Sequence, residues 1–316
     1  MATVVSITNP VTGAVEQVDK LDATAQQIDD AVSLAPQISN PNLLDNWYFA
    51  NPVNQRGQTE YTAAGYTIDR WLQGFDGTLT STLTDDGIKI AAGNDGTYKN
   101  FEQILSYVPT NTTFTLSFLV DNFASISQIY TGFSASQFDI RDNLITCTFK
   151  TGGSISGRKL IGIQVKPGKT ATIKAAKLEL GSQQTLAHQN TDGNWVLNEI
   201  PDYGEQLARC QRYLFTPTTQ TDSIYNLAIG VGTSTTTIAF FLPLPTTMRA
   251  KSSITFSGLH AVNEINSMLA ITKVSNYGQV YNGVWLQATV ASGAEVGKAY
   301  YLRTSNPWSL VLDANL

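Results

Sequence analysis

Short apolar runs broken by turn residues recur along most of this chain, and they decide what it can fold into. Eight such runs fall at 79–83, 87–91, 98–104, 112–120, 128–133, 145–149, 160–165 and 171–180. Seven more follow at 223–231, 235–242, 253–257, 269–274, 283–289, 298–302 and 310–313. In 113–120 and 158–165 apolar and polar side chains alternate, which predicts strands with one inward and one outward face. Many short strands separated by Gly and Asn turns predict antiparallel sandwiches. If the last strand of the first set returns beside the first, as in a jelly roll, Leu43 comes close to Lys177-Leu178-Glu179-Leu180.

Two stretches break this pattern with helical spacing. Tyr203, Leu207, Cys210 and Leu214 recur at steps of four, three and four, and Asp202 with Glu205 can form a capping box before them. Near the start, 3–18 reads as a small hairpin with turn signals at Asn9-Pro10 and Thr12-Gly13. Leu21, Ala25, Ile28, Val32 and Ala35 then form a narrow seam, and Pro36 ends it. A helix this short is marginal in isolation, so it either packs on its own domain or joins a parallel bundle of copies. The expected fold is mainly β: a short N-terminal helical (coiled-coil) stem, then two antiparallel β-sandwich or jelly-roll-like domains joined by a short helix. The segments are 1–40, 41–181, 182–215 as connector, and 216–316.

Composition narrows the partners. Of 316 residues 14% are charged, against a usual ~25%, and the formal net charge is -5 with scattered Lys and Arg. No basic stripe is present to neutralise phosphates, so nucleic acid is disfavoured. Cys147 alternates with Ile145 and Phe149, and Cys210 lies on the apolar helix face, so both read as small buried hydrophobes. The first residues lack the basic and apolar regions of a signal peptide. No run of about 18 apolar residues exists for membrane insertion. Synthesis in a reducing cytoplasm is expected, and lysis would release a protein that acts outside the cell.

Sites are few. Asp69-Arg70-Trp71 brings together a carboxylate, a guanidinium and a ring. That set suits a sugar, and it suits equally a structural ion pair beside a core Trp. Tyr277, Tyr281 and Trp285 lie in a Gly- and Asn-rich segment, where rings can stack on a pyranose while amides bond hydroxyls; a core or an interface between copies would also use them. Asp85-Asp86-Gly87 and Asn94-Asp95-Gly96 read as turns rather than calcium loops. Nothing in the sequence sets Asp139 and Asp142 across a sugar ring as a glycosidase pair. His188 and His260 have no second metal ligand beside them in sequence. No catalytic residue, metal site or cofactor is expected, and the chain does not read as an enzyme.

Three segments carry a family resemblance. The strand Lys177-Leu178-Glu179-Leu180-Gly181, then Tyr203-Gly204-Glu205 and Ala208-Arg209-Cys210-Gln211-Arg212-Tyr213, resembles phage and prophage tail-fibre proteins of Gram-positive-type phages. Asn46, Phe49, Asn51, Pro52, Asn54 to Gly57, Tyr66 and Asp69 to Trp71 resemble the start of their carbohydrate-binding-module-like jelly roll. Leu242-Pro243-Leu244-Pro245 with Met248-Arg249-Ala250, and the closing Leu310 to Leu316, are similar to their last domain, with Thr246-Thr247 inserted. Thr24 to Val32 is similar to a stretch near the start of such fibres. The resemblance implies a virion fibre or receptor-binding protein, a homotrimer docked on other virion proteins through 1–40, holding a host cell-surface glycan multivalently without catalysis. The alternative is a structural or decorating protein of the particle, such as a head fibre or baseplate component.

Overall fold

A computed structural model describes residues 4–8, 15–19, 39–74, 79–96, 99–133, 135–140, 142–157, 159–217 and 223–315. The chain divides into two compact units, Met1–Ile38 and Ser39–Leu316. In the first, β1 (Val4–Thr8) and β2 (Val15–Asp19) pair antiparallel with Val4 opposite Asp19, which is the expected hairpin. The expected helical stem, with its seam from Leu21 to Ala35, lies outside the described residues.

The second unit opens with a two-sheet sandwich. Its strands are β3 (Glu60–Tyr61), β4 (Gly65–Tyr66), β5 (Trp71–Gln73), β6 (Leu79–Thr84), β7 (Gly87–Ala92), β8 (Lys99–Leu105), β9 (Thr113–Val120), β10 (Ile126–Thr131), β11 (Ala135–Asp139), β12 (Leu144–Lys150), β13 (Lys159–Val165) and β14 (Thr170–Leu180). One sheet has the order β10-β13-β8-β5-β4, and the other β11-β12-β9-β14-β7-β6-β3. Trp71 stacks on Phe101 at 5.0 Å between ring centres, and Phe49 meets Trp71 edge-on at 5.0 Å, so aromatic rings fill the space between sheets. The segment before β3 runs along β14: Leu43 N–H donates to Leu178 O, and Ala176 N–H donates to Trp47 O. The predicted meeting of Leu43 with the end of β14 is therefore direct.

One expectation changes here. Strand β9 does not alternate between core and solvent, because it is buried along both faces from Phe114 to Val120. The connector explains part of this. Its hairpin, β15 (Ala187–Gln189) with β16 (Trp195–Leu197), adds Leu186, Ala187, Trp195 and Leu197 to the sandwich core. Glu179 fixes the connector by accepting from Thr185 N–H and Oγ1–H, each at 2.6 Å, and buried Lys177 pairs with Glu199 at 2.8 Å.

Helix α1 (Tyr203–Gln211) starts where predicted, with the Asp202 carboxylate accepting from Glu205 N–H at 2.8 Å. Its buried face keeps the expected Cys210 and Leu214 and departs from the expected one at its start. Gln206 and Cys210 are buried while Tyr203 is exposed, because the Gln206 side-chain oxygen accepts from Asn46 N–H at 2.7 Å. Both cysteines are free and buried, as their apolar settings predicted.

The last body departs from the expected sandwich. It comprises β17 (Leu214–Phe215), β18 (Asn226–Gly232), β19 (Thr237–Pro243), β20 (Ser253–Asn263), β21 (Met268–Val280), β22 (Gly283–Val290) and β23 (Ala299–Asp313). The sheet order is β17-β23-β18-β19-β22-β21-β20, and β20 pairs again with β23, which closes a six-stranded antiparallel barrel. The predicted runs at 298–302 and 310–313 belong to the one long strand β23. Register breaks at Ser257/Leu259 in β20 and at Asn276/Gly278 in β21 let the strands bend, so one sheet encloses its own core. Phe240, Leu242, Leu286, Tyr300, Leu302 and Trp308 fill it. Removing edges in this way also removes unpaired backbone groups from the surface.

Gly258 makes the bend in β20. Its φ is 59°, and a Cβ there would overlap the carbonyl oxygens of Ser305 and Pro307 on β23. Gly258→Ala should therefore lower the stability of the barrel by about 2–3 kcal/mol, combining left-handed strain with displacement of the facing strand. Urea denaturation checks this; an unchanged midpoint would contradict the close approach.

Candidate functional site

Asp69, Arg70 and Trp71 do not form an open sugar site. All three are buried. The Asp69 carboxylate accepts from Gln55 N–H at 3.0 Å and from Gln55 Nε2 at 2.6 Å, with Arg56 at 3.8 Å. Arg70 is 2% exposed and has a left-handed φ of 70°. Its Nε donates to Asp45 at 3.0 Å, its Nη2 donates to Ile104 O at 2.8 Å, and its plane lies 3.5 Å above the Tyr213 ring. Trp71 Nε1 donates to Asn46 O at 2.9 Å while the ring fills the core. Burial thus selects the structural reading of this triplet.

What these residues build is a joint. Asp45 bridges Arg70 and the helix residue Arg209, whose Nε donates to its other oxygen at 2.8 Å. Asn46, at φ 54°, donates to Val53 O and Asp69 O and receives from Val53 N–H. Gln55 Nε2 also donates to Leu214 O at 2.7 Å, and Ala314 N–H donates to Tyr213 O at 2.7 Å. Sandwich, helix and barrel therefore meet around one ionic cluster, with Arg70 buried at its centre. The motif resembling the start of a jelly roll is this meeting point. Asp45, Arg209 and Tyr213 completed it without any sequence signal that joined them to Arg70.

The aromatic segment fares differently. Trp285 on β22 is 40% exposed, and Tyr277 on β21 is 70% exposed. The register break leaves Tyr277 and Gly278 opposite Trp285. Across β22, Trp285 faces Phe241 on β19, with ring centres 5.2 Å apart. Phe241 faces Ile229 on β18, and Ile229 faces Tyr301 on β23. The result is an apolar row, Tyr277–Trp285–Phe241–Ile229–Tyr301, over the outer surface of five neighbouring strands. Ile229 is 64% exposed within it. The Phe241 ring lies over Gly283, where any Cβ would collide with it, so the absence of a side chain at 283 sets the ring's position. Gln287 and Ser275 pair in the next register row, placing an amide and a hydroxyl alongside the rings. Beside Phe241 and Tyr301 lies a shallow cleft of about 420 Å³.

Tyr281 is not part of this row. It sits at the β21–β22 turn, 90% exposed, and lines a separate shallow cleft with Thr247, Ala250 and Lys251. Phe241 and Ile229 were absent from the sequence expectation, since only cross-strand register brings them to Trp285. Tyr300 and Trp308, from the same aromatic-rich region, are in the barrel core.

Two of the remaining acids have local partners. Asp142 accepts from Trp195 Nε1 at 3.1 Å, and Asp95 pairs with Lys99 at 2.9 Å. The side chain of Asp139 lies outside the described residues. Among the described residues no group of three or more His, Cys, Asp or Glu side chains is placed to hold a metal ion.

No protein-family model matches the chain, and no curated protein matches it. Among solved structures, the N-terminal CBM22-1–CBM22-2 tandem domain of Paenibacillus barcinonensis Xyn10C is similar at 12% identity and a TM-score of 0.25, over 88% of this chain and 98% of that one. A likeness at that level does not bear on what this chain binds. Among the described residues the protein is mainly β, a sandwich and a closed barrel bridged by helix α1, with an apolar row on the barrel's outside.

Burial gives Asp69 a measurable signature. It pushes the carboxyl up to about 6, against the opposing hydrogen bonds from Gln55 and the charge of Arg56. With the folded value above the unfolded one, the folded state holds a proton that the unfolded chain has released. The associated stability is full below about pH 4 and is lost as pH rises through about 6. Between pH 4 and 7 the wild type should lose about 2 kcal/mol more than Asp69→Asn. Denaturant titrations at several pH values check this, and parallel curves would contradict it.

Proposed function

We propose that the chain is a non-catalytic fibre protein of a phage particle, which grips a host cell-surface glycan through the outward row on its barrel. The observation that carries the reading is the row itself. Tyr277, Trp285, Phe241, Ile229 and Tyr301 lie side by side in register, uncharged and, apart from half-buried Phe241, exposed. A contiguous exposed apolar surface rimmed by polar groups marks an interaction site. Rings flanked by the Gln287 amide and the Ser275 hydroxyl suit a neutral sugar, whose CH faces stack on rings while its hydroxyls take hydrogen bonds. A dimension of one register row across several strands also suits an extended chain of sugars rather than a compact molecule.

The resemblance to tail-fibre proteins supplies the setting. Three copies assembled through 1–40, and docked there on other virion proteins, would multiply weak single sites of about millimolar to micromolar affinity by avidity. No bond is made or broken in this scheme. The protein would be made in the host cytoplasm, carried on the virion and released by lysis.

Trp285→Ala tests the reading. Retention on host cell walls, and signal on a glycan array, should fall at least tenfold. The thermal midpoint and the oligomer mass by light scattering should stay unchanged. Wild-type retention by the variant would remove the row from recognition. A variant that loses its oligomer would make the row an assembly surface and favour a decorating or baseplate role.

A further inference from the structure

The two flanks of the outer row differ. Along one run Ser275, Gln287, Ala239, Val231 and Ala299 in register, an amide and a hydroxyl among small apolar groups and no charge. On the other flank β23 carries Arg303, two residues beyond Tyr301 on the same outward face and about 7 Å further along the strand. Asn226 on β18 stands opposite Arg303, and it lines the shallow cleft beside Phe241 and Tyr301. Asn266, from the turn between β20 and β21, reaches the same guanidinium.

Arg303 keeps its charge at the surface without a counter-ion. Its Nε donates to Asn226 Oδ1 at 3.0 Å and its Nη1 to Asn266 Oδ1 at 3.3 Å. Among the described residues no carboxylate pairs with it, and Glu264, in the same turn as Asn266, pairs with Lys298 at 3.4 Å. A guanidinium only donates, so each amide must turn its oxygen to it. Both amides are exposed, and their NH2 groups therefore face away from Arg303. Arg303 Nη2 also has no acceptor among the described residues. What this corner offers a ligand is N–H groups alone, beside a full positive charge. A hydroxyl suits it poorly, because the hydroxyl brings a proton that finds no acceptor there. An oxyanion brings acceptors only, and charge-assisted bonds from a guanidinium are the stronger kind.

We infer that the glycan held on the row carries an oxyanion substituent, a uronic acid carboxylate or a phosphate ester, which Arg303, Asn226 and Asn266 bind beside the sugar on Tyr301. The inference rests on the reading of the row as a glycan site and gives that glycan an orientation. Its hydroxyls lie toward Gln287 and Ser275, and its acidic group lies toward Arg303.

The test is calorimetry on the full chain with three hexasaccharides. The first alternates glucuronate with N-acetylglucosamine. The second has every carboxyl reduced to hydroxymethyl, and the third carries phosphate on those hydroxymethyl groups. One charged form should bind about tenfold more tightly than the neutral form, with the gap narrowing as salt is raised, and the tighter of the two identifies the oxyanion. Arg303→Gln should remove the preference. Asn226→Asp should remove it too, while the thermal midpoint holds, because a carboxylate there still accepts from Arg303 Nε but cancels the charge and the N–H groups. A tie that only joined the strands would leave the preference unmoved by Asn226→Asp, and this variant decides alone if Arg303→Gln fails to fold. Equal binding of the three forms, binding of none, or a preference that survives Asn226→Asp would overturn the proposal. Trp285→Ala separates this failure from that of the row. Equal binding that weakens with Trp285→Ala removes the acidic corner and leaves the row standing. Binding that ignores Trp285→Ala counts against the row itself, and the inference falls with it.

Discussion

The guanidinium of Arg70, buried between Asp45 and the Tyr213 ring, is the contact on which the arrangement of this protein depends. It sits on a backbone in the left-handed region, which costs a non-glycine residue about 1–3 kcal/mol and persists only where the surroundings over-determine it. The surroundings do so. Asp45 comes from the segment that runs along β14, Arg209 from the helix, and Tyr213 from the link into the barrel. Removing Asp45 would leave the Arg70 charge buried without its counter-ion, which is far more unfavourable than losing a surface ion pair. A chain poor in charged residues thus concentrates several of them at the place where its bodies meet.

Much of the sandwich was legible in the sequence because its strands are short and its turns are marked by Gly and Asn. Leu43 beside the end of β14 could be anticipated from that pattern, and so could the cap at Asp202. The barrel was not legible as a barrel. Its closure is the pairing of β20 with β23, near Ile254 and Leu312, and nothing local to either residue announces the other. Burial of β9 on both faces was hidden for the same reason, since part of its cover comes from a connector some 70 residues further on.

The candidate sites divide along the same line. Asp69, Arg70 and Trp71 stood out as a chemically mixed triplet, but residue type cannot tell a ligand site from a buried joint. Burial decides it, and burial is set by the whole fold. Trp285 and Tyr277 stood out from their Gly- and Asn-rich setting, and the barrel does present them outward. Phe241, Ile229 and Tyr301 reach them only through register between strands, so the row could not be seen along the chain. Tyr281, four residues in sequence from both Tyr277 and Trp285, is turned to another cleft by the hairpin end.

If the ionic joint holds sandwich, helix and barrel together, they should unfold as one. Differential scanning calorimetry of the wild type beside Asp45→Asn tests this most directly. The account predicts a single transition in the wild type, with calorimetric and van't Hoff enthalpies in agreement, and two separated transitions in the variant. Two transitions already present in the wild type, or one unshifted transition in both, would contradict it.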